Sequence, residues 1–510
     1  RPGGLASNPA ERSGHAELLK LGWEQGAGHV QLQLDRNHDR ADTQIDSLEH
    51  GPGQYASTSA MVGDDDYTRQ RLSLQAQWDY ALPGLDQLSA VLYQQHSRTL
   101  QRTLQTREAV APRTPATLRD RSFLYNDLSL GLALHAQGRF DALGARHWQT
   151  YGVELSRARL DELRDAVETN LSTGAATQLI IGERFPVRDF PDSDTRELAA
   201  WWQDEIRPGN AALTLIPGVR YEHYRVDARV DSIFRADNPA LTPVDLGSAQ
   251  FTPKLGLRYE LSHATQLYAQ YAIGFRAPPV SDVNIGFTIP AFNYVAIPNP
   301  GLRPEHSRGL ELGARYNGEW LSLDGVVYDN RYRDLIDSRV NLGRDASGAL
   351  VFQSINRARA HIVGAEVRSE AALPWSGYSL NAALAWSRGD DTARDVPLNS
   401  IDPASLTLGL AYESASGRQR LELVSRAVAA QTRIDTSTIT PFRTPGYATL
   451  DLYWQLQLAD QVALDLALTN LGNRRYWQWS SVRGIPADAR EVDLYTQPGR
   501  QIGASLRYRF

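Results

Sequence analysis

The sequence predicts an all-β fold, a transmembrane antiparallel β-barrel showing about 19 strands. Three observations predict it: a period-two alternation that recurs along the chain, connections of two very different lengths, and no long apolar run. The alternation is plainest at the C-terminal end. There Ile502, Ala504, Leu506, Tyr508 and Phe510 interleave with Gln501, Gly503, Ser505, Arg507 and Arg509. Successive side chains on a strand point to opposite faces, so this segment has one apolar and one polar face.

The same dyad appears at Leu72, Leu74, Ala76, Trp78 and Tyr80, at Ala448 to Leu458, at Val462 to Leu468 and in the shorter run Val30, Leu32, Leu34. A two-sheet sandwich also alternates. Segments ending in aromatics and long enough to cross a bilayer when tilted, roughly 9–11 residues, favour the membrane barrel. Leu72, Trp78, Leu450, Leu456, Ile502 and Phe510 are expected on the lipid-facing side. Trp23, Trp148, Trp201, Trp202, Trp320, Trp386 and Trp454 are candidates for the interfacial girdles.

The chain has 510 residues and shows no Gly/Ser tract, Pro-rich hinge or charge block that would separate domains. One large barrel accounts for this length. No stretch approaches about 18 consecutive apolar residues, which excludes transmembrane helices and leaves barrel strands untouched. The net charge of -6 argues against a nucleic-acid partner. Cysteine is absent, so thiolate metal sites, disulfides and cysteine nucleophiles are excluded.

Short turns are expected at Gly26-Ala27-Gly28, Pro83-Gly84, Pro208-Gly209-Asn210, Asn317-Gly318-Glu319 and Ala459-Asp460. Long connections are expected over 37–69, 100–121, 159–194, 227–250, 275–304, 334–357, 388–403, 430–445 and 475–499. Bacterial outer-membrane barrels place short turns in the periplasm and long loops outside, and normally have an even strand number. The final strand then descends to the periplasm, and the odd count implies strands missing before the first, near His15 to Glu24. The chain begins Arg1-Pro2-Gly3-Gly4 without a leader, so a signal peptide is expected to be cleaved or to lie outside this sequence.

Residues Gly274 to Gly313 read GFRAPPVSDVNIGFTIPAFNYVAIPNPGLRPEHSRGLELG. This segment resembles the FRAP and NPNL boxes of TonB-dependent outer-membrane receptors for haem and haemoglobin. Asn356 to Glu366, Leu468 to Gly484 and the C-terminal strand resemble later segments of that family. The likeness is strong over about 270–510, and the first half supplies barrel character. It implies that residues 1–510 are part of a barrel of about 22 strands, lacking its first strands, the TonB box and the N-terminal plug domain. It also implies an outer-membrane monomer in contact with lipid, taking up haem or haem from haem proteins, and energised by the TonB–ExbB–ExbD complex through the missing N-terminal region.

The resemblance places the site on the loop built from Phe275, Arg276, Ala277 and Pro278 at one end and Asn299, Pro300 and Leu302 at the other. In the family this loop supplies an axial ligand to haem iron, commonly histidine, but no histidine lies between Pro279 and Pro298. Four residues separate Tyr294 from the box, and a phenolate is a hard anionic ligand for ferric iron. Tyr294 is therefore the expected axial and metal ligand, with His306 its rival. Phe287 and Phe292 are expected to pack on the porphyrin. Arg276 and Arg303 either pair with propionates or bond loop backbone.

No Walker loop, GxSxG, HExxH or paired histidine spacing occurs, so no catalytic residue and no catalytic cofactor are expected. Asp64, Asp65 and Asp66 are expected at a solvated outer loop tip, with calcium binding the lesser reading, and Asp390 and Asp391 read likewise. Haem uptake is the leading function. A ferric-siderophore receptor is the alternative, and a passive porin is weaker because porins lack this loop.

Overall fold

In a computed structural model, residues 8–112, 114–290, 293–437 and 439–509 are described. Nineteen long strands form one continuous antiparallel wall in chain order. They are β1 (Ala10–Gln25), β2 (Gly28–Gln44), β3 (Thr58–Leu82), β4 (Leu85–Arg107), β5 (Thr117–Ala142) and β6 (Ala145–Asn170). Then come β7 (Asp192–Pro208), β8 (Leu213–Arg229), β9 (Leu246–Glu260), β10 (Thr265–Arg276), β11 (Glu305–Asn317), β12 (Leu321–Arg344) and β13 (Leu350–Ala372). The wall ends with β14 (Tyr378–Asp391), β15 (Ser405–Glu413), β16 (Gln419–Val428), β17 (Tyr447–Ala459), β18 (Val462–Thr469) and β19 (Gln501–Tyr508). Short additions from the loops bring the sheet to 23 strands. Among the described residues β1 pairs only with β2 and β19 only with β18, so no ladder joins the two ends of the wall.

The register shows why the sequence alternates. One set of cross-strand neighbours runs Leu21, Leu32, Leu74, Leu92, Leu132, Leu155 and Leu198, each opposite the next. A second runs Leu312, Val327, Ala365 and Trp386. A third runs Leu421, Trp454 and Leu466. Most of these large apolar side chains are open to the surroundings: Leu21 is 51% exposed, Leu312 49% and Val327 52%. A sandwich would bury this face, so the wall has an apolar exterior that no second sheet covers among the described residues. Phe510 lies outside the described residues.

Two girdle assignments are corrected. Trp148 and Trp201 share the parity of Gly152 and Glu154, opposite to that of Leu155 and Leu198, and so face the interior of the wall. A tryptophan reads as a girdle residue from composition alone, whereas the register decides its face. Trp23, Trp202, Trp386 and Trp454 keep the outer parity.

The connections expected over 275–304, 430–445 and 475–499 are found at about that length or slightly longer, whereas most of the others are shorter than expected, because their strands continue beyond the apolar belt. The expected loop 37–69 is reduced to the segment between Gln44 and Thr58, and 334–357 to the turn between Arg344 and Leu350. Above the belt both faces of a hairpin are polar, so the alternation that marks a strand is lost although the backbone ladder persists. Asp64, Asp65 and Asp66 therefore lie within β3, not at a loop tip. Asp64 pairs with Arg40 at 3.1 Å and Asp66 with His38 at 2.6 Å, and no cluster suited to a metal ion occurs among the described residues. Asp390, likewise on a strand, pairs with Arg388 at 3.1 Å and with Arg433.

Candidate ligand site at the loop end of the wall

Three long connections close over one another at the loop end. The β6–β7, β8–β9 and β10–β11 connections meet through backbone and amide bonds that a loop on its own could not satisfy. Gly286 N donates to Asp189 O at 2.7 Å, and Asn238 Nδ2 to Arg188 O at 3.3 Å. The Asn284 amide both accepts from Val244 N and donates to Val244 O, each at 2.9 Å. A β-carbon at Gly286 would meet the Asn238 amide and Leu241, so a larger residue there would displace those side chains. Phe185, Val187, Phe234, Val283 and Ile285 are buried beneath this assembly.

Within the β10–β11 connection a small hairpin pairs Phe287–Ile289 with Tyr294–Ile297, and the second arm runs parallel to the start of β13. Asn293 makes its turn in the left-handed region (φ 49°), which asparagine tolerates. This places Tyr294 between two aromatic rings. Phe287 meets it edge-on at 5.6 Å, and Phe352 stacks on it at 4.6 Å. Tyr294 is half-buried, and its hydroxyl has no hydrogen-bond partner among the described residues. Phe352 keeps the parity of Ser354 and Asn356, the interior face of β13, so the Tyr294 ring lies on the interior side. Phe292 lies outside the described residues.

The hairpin also reaches toward β6. The Arg164 guanidinium sits over Phe287 at 4.7 Å and bonds Asp189 at 2.7 Å and Glu183 at 2.9 Å. Beside it, beyond the apolar part of β6, Glu162 is buried, and one of its carboxylate oxygens has no partner. Burial, with the Asp189 carboxylate nearby, pushes the Glu162 carboxyl up to about 8. Burial likewise raises Asp189, against the pull of Arg164.

The boxes that flagged this region turn out to hold it in place. Asn299 donates to Ser354 O at 2.8 Å and accepts from Gly301 N at 3.0 Å. The Asn356 amide clamps Arg303 through both backbone groups, and Leu302 and Pro278 are buried. Pro300 is exposed at the turn, and Ala277 is half-buried in the segment leaving β10. Arg276 pairs with Glu305 at 3.6 Å, and Arg303 with Asp334, so both cations already have carboxylate partners. His306 lies opposite Phe275, their rings 6.0 Å apart, and both share the outer parity of Leu310. That face points away from Tyr294.

Sequence reasoning missed Phe352, Arg164, Glu162 and Asp189. Phe352 lies far along the chain in a strand read as loop, and the charged residues carry no motif. Their long separation from the box left no local signal.

A family model described as TonB dependent receptor-like, beta-barrel matches residues 20–471. Hemoglobin and hemoglobin-haptoglobin-binding protein A of Haemophilus influenzae is 28% identical over 43% of this chain and 22% of its own length. Hemoglobin-haptoglobin utilization protein B of Neisseria meningitidis is 24% identical over 61% and 44%. The hemin receptor of Yersinia pestis is 24% identical over 78% and 57%. The match thus spans less than two thirds of each of these relatives. Among solved structures, the copper transporter OprC has a TM-score of 0.69 at 16% identity, covering 98% of this chain and 79% of that one. The ferric preacinetobactin receptor BauA of Acinetobacter baumannii has 0.66 at 15%, covering 99% and 73%. Those structures share the fold. From the family match, the chain belongs to the TonB-dependent receptors, as their β-barrel part.

Proposed function

We propose that this TonB-dependent receptor barrel sits in the outer membrane of a Gram-negative bacterium and takes up haem, free or from haem proteins, with Tyr294 as the axial ligand to iron. The observation that carries the reading is the hairpin of the β10–β11 connection. It presents a tyrosine hydroxyl without a hydrogen-bond partner among the described residues, between Phe287 and Phe352, on the interior side of the mouth. Relatives named for hemoglobin and hemin binding support the cargo. A tyrosine oxygen is a hard anionic donor of the kind ferric iron accepts. Arg276 and Arg303 act as loop braces, because their charges are already matched.

The same reading assigns energy and completeness to parts beyond the sequence described. The unjoined edges of β1 and β19 suit about three further strands in a barrel of about 22. A plug would fill the lumen, and a TonB box would engage TonB–ExbB–ExbD. The receptor works as a monomer, as transport and not as catalysis.

Tyr294→Phe in the full-length receptor keeps the ring and removes only the ligating oxygen. Haem affinity should fall and the haem absorption spectrum should shift. Unchanged spectrum and affinity, with both altered in His306→Ala, would move the ligand to His306. If neither substitution matters and a ferric siderophore supports growth through the receptor, the cargo is a siderophore and Tyr294 is a packing residue.

A further inference from the structure

The outer face of β11 to β14 carries an excess of arginine immediately beyond the apolar belt. On β14 the outward residues run Leu380, Ala382, Leu384 and Trp386, then Arg388 and Asp390. On β11 they run Ala314, Leu312 and Leu310, then Arg308 and His306. The register sets Arg308 directly opposite Arg331, and Arg333 directly opposite Arg359. Side chains so paired stand about 5 Å apart at Cβ, and like charges in that relation repel.

The carboxylates within reach are too few to balance them. Asp329 serves Arg331 at 3.1 Å and His361 at 2.8 Å, and Asp390 serves Arg388 and Arg433. Arg308, Arg333 and Arg359 are exposed, and none has a carboxylate within ion-pair distance among the described residues. A second arginine row on the same outer face shows the contrast. Arg157, Arg196 and Arg225 also lie opposite one another, but Asp194 and Asp227 stand in the adjoining row and pair with them. In the row adjoining Arg308 and Arg331, β11–β13 offer one carboxylate, Asp329, and Arg331 and His361 already share it.

We propose that Arg308, Arg333 and Arg359, with Arg331, form a binding surface for the phosphate groups of a phosphorylated lipid in the outer leaflet. Guanidinium groups hold phosphate in paired, charge-assisted hydrogen bonds, and an anion there would offset the cross-strand repulsion. The patch continues the lipid-facing belt upward, at the level where headgroups begin, and faces away from the lumen, so neither a plug nor a cargo could cover it. It also lies far along the wall from the unjoined edges. The proposal rests on the membrane setting given above and not on the identity of the cargo.

The test uses the full chain in nonionic detergent, titrated with bis-phosphorylated lipid A and with the same lipid stripped of phosphate. The native protein should prefer the phosphorylated form by about tenfold, with the preference shrinking at high salt. Arg308→Gln/Arg333→Gln/Arg359→Gln should remove the preference, while Arg157→Gln/Arg196→Gln/Arg225→Gln should retain it. Circular dichroism melting verifies that both variants fold. Equal binding of the two lipids by the native chain, or an unchanged preference in the first variant, would overturn the proposal. Failure to insert into phosphatidylcholine vesicles would overturn the membrane setting itself, whereas insertion without discrimination would overturn the patch alone.

Discussion

The apolar belt and the loop-end mouth of this protein are built on opposite rules. In the belt, large side chains such as Leu72, Leu312 and Ile502 are exposed, and the backbone ladder supplies the order. In the mouth, Val187, Phe234 and Val283 are buried, and ionisable groups such as Glu162 lie buried with them. The belt follows one repeating relation between neighbours. The mouth depends on single contacts between segments far apart in the chain. What stabilises the belt is its solvent, while what stabilises the mouth is its own small core.

That contrast can be broken first in the belt. Leu312 lies midway along the outer face of β11, between Tyr316 and Arg308. Leu312→Arg should destabilise the protein by about 2–4 kcal/mol when it is folded in a bilayer. The same change on a water-exposed face would fall within about 0.5 kcal/mol of neutral. Denaturant titration in vesicles measures the difference, and a neutral result would place this face in water.

The mouth should respond next. Asn284→Ala removes the paired bonds to Val244 and leaves both backbone groups of Val244 unmet, a loss of about 1–3 kcal/mol. The effect should be local. Protease cleavage should begin in the β8–β9 connection while the strand ladder keeps its melting point. A global drop in melting temperature would show that the mouth and the belt are one cooperative unit.

A pH dependence separates the regions more finely. The raised Glu162 carboxyl means that the folded mouth holds a proton which the unfolded chain releases near an ordinary glutamate value. Stability from this group is full below that ordinary value and is lost as pH rises through about 8. Protection of the β6–β7 connection against hydrogen exchange, corrected for the intrinsic rise of amide exchange with pH, should therefore fall between the ordinary glutamate value and about 8, and Glu162→Gln should flatten the profile. Acceleration on acidification instead would reverse the sign and refute the assignment.

The smallest effect is expected at Arg315, which meets Asp324 at 2.8 Å on exposed strand positions. Arg315→Gln should change stability by about 0–1 kcal/mol. A larger loss would mean that this pair is shielded from solvent.

By itself the sequence determined the strands, their order, their faces within the belt and the side on which the long connections lie. Period-two alternation is a local property, and each strand pairs with the next, so nothing distant had to be known. It also singled out the β10–β11 connection, with Tyr294 and Phe287 on it, through a recognisable box. Only the tertiary structure decided that Trp148 and Trp201 face inward, that strands continue where the loops were expected, and that Asn299, Leu302 and Arg303 brace the connection. It alone set Phe352 against Tyr294, turned His306 to the outer face and gathered Glu162, Arg164 and Asp189 beneath the mouth. The reason is physical: outside the apolar belt no solvent imposes a repeating pattern, and position there depends on bonds between residues tens to hundreds apart in the chain.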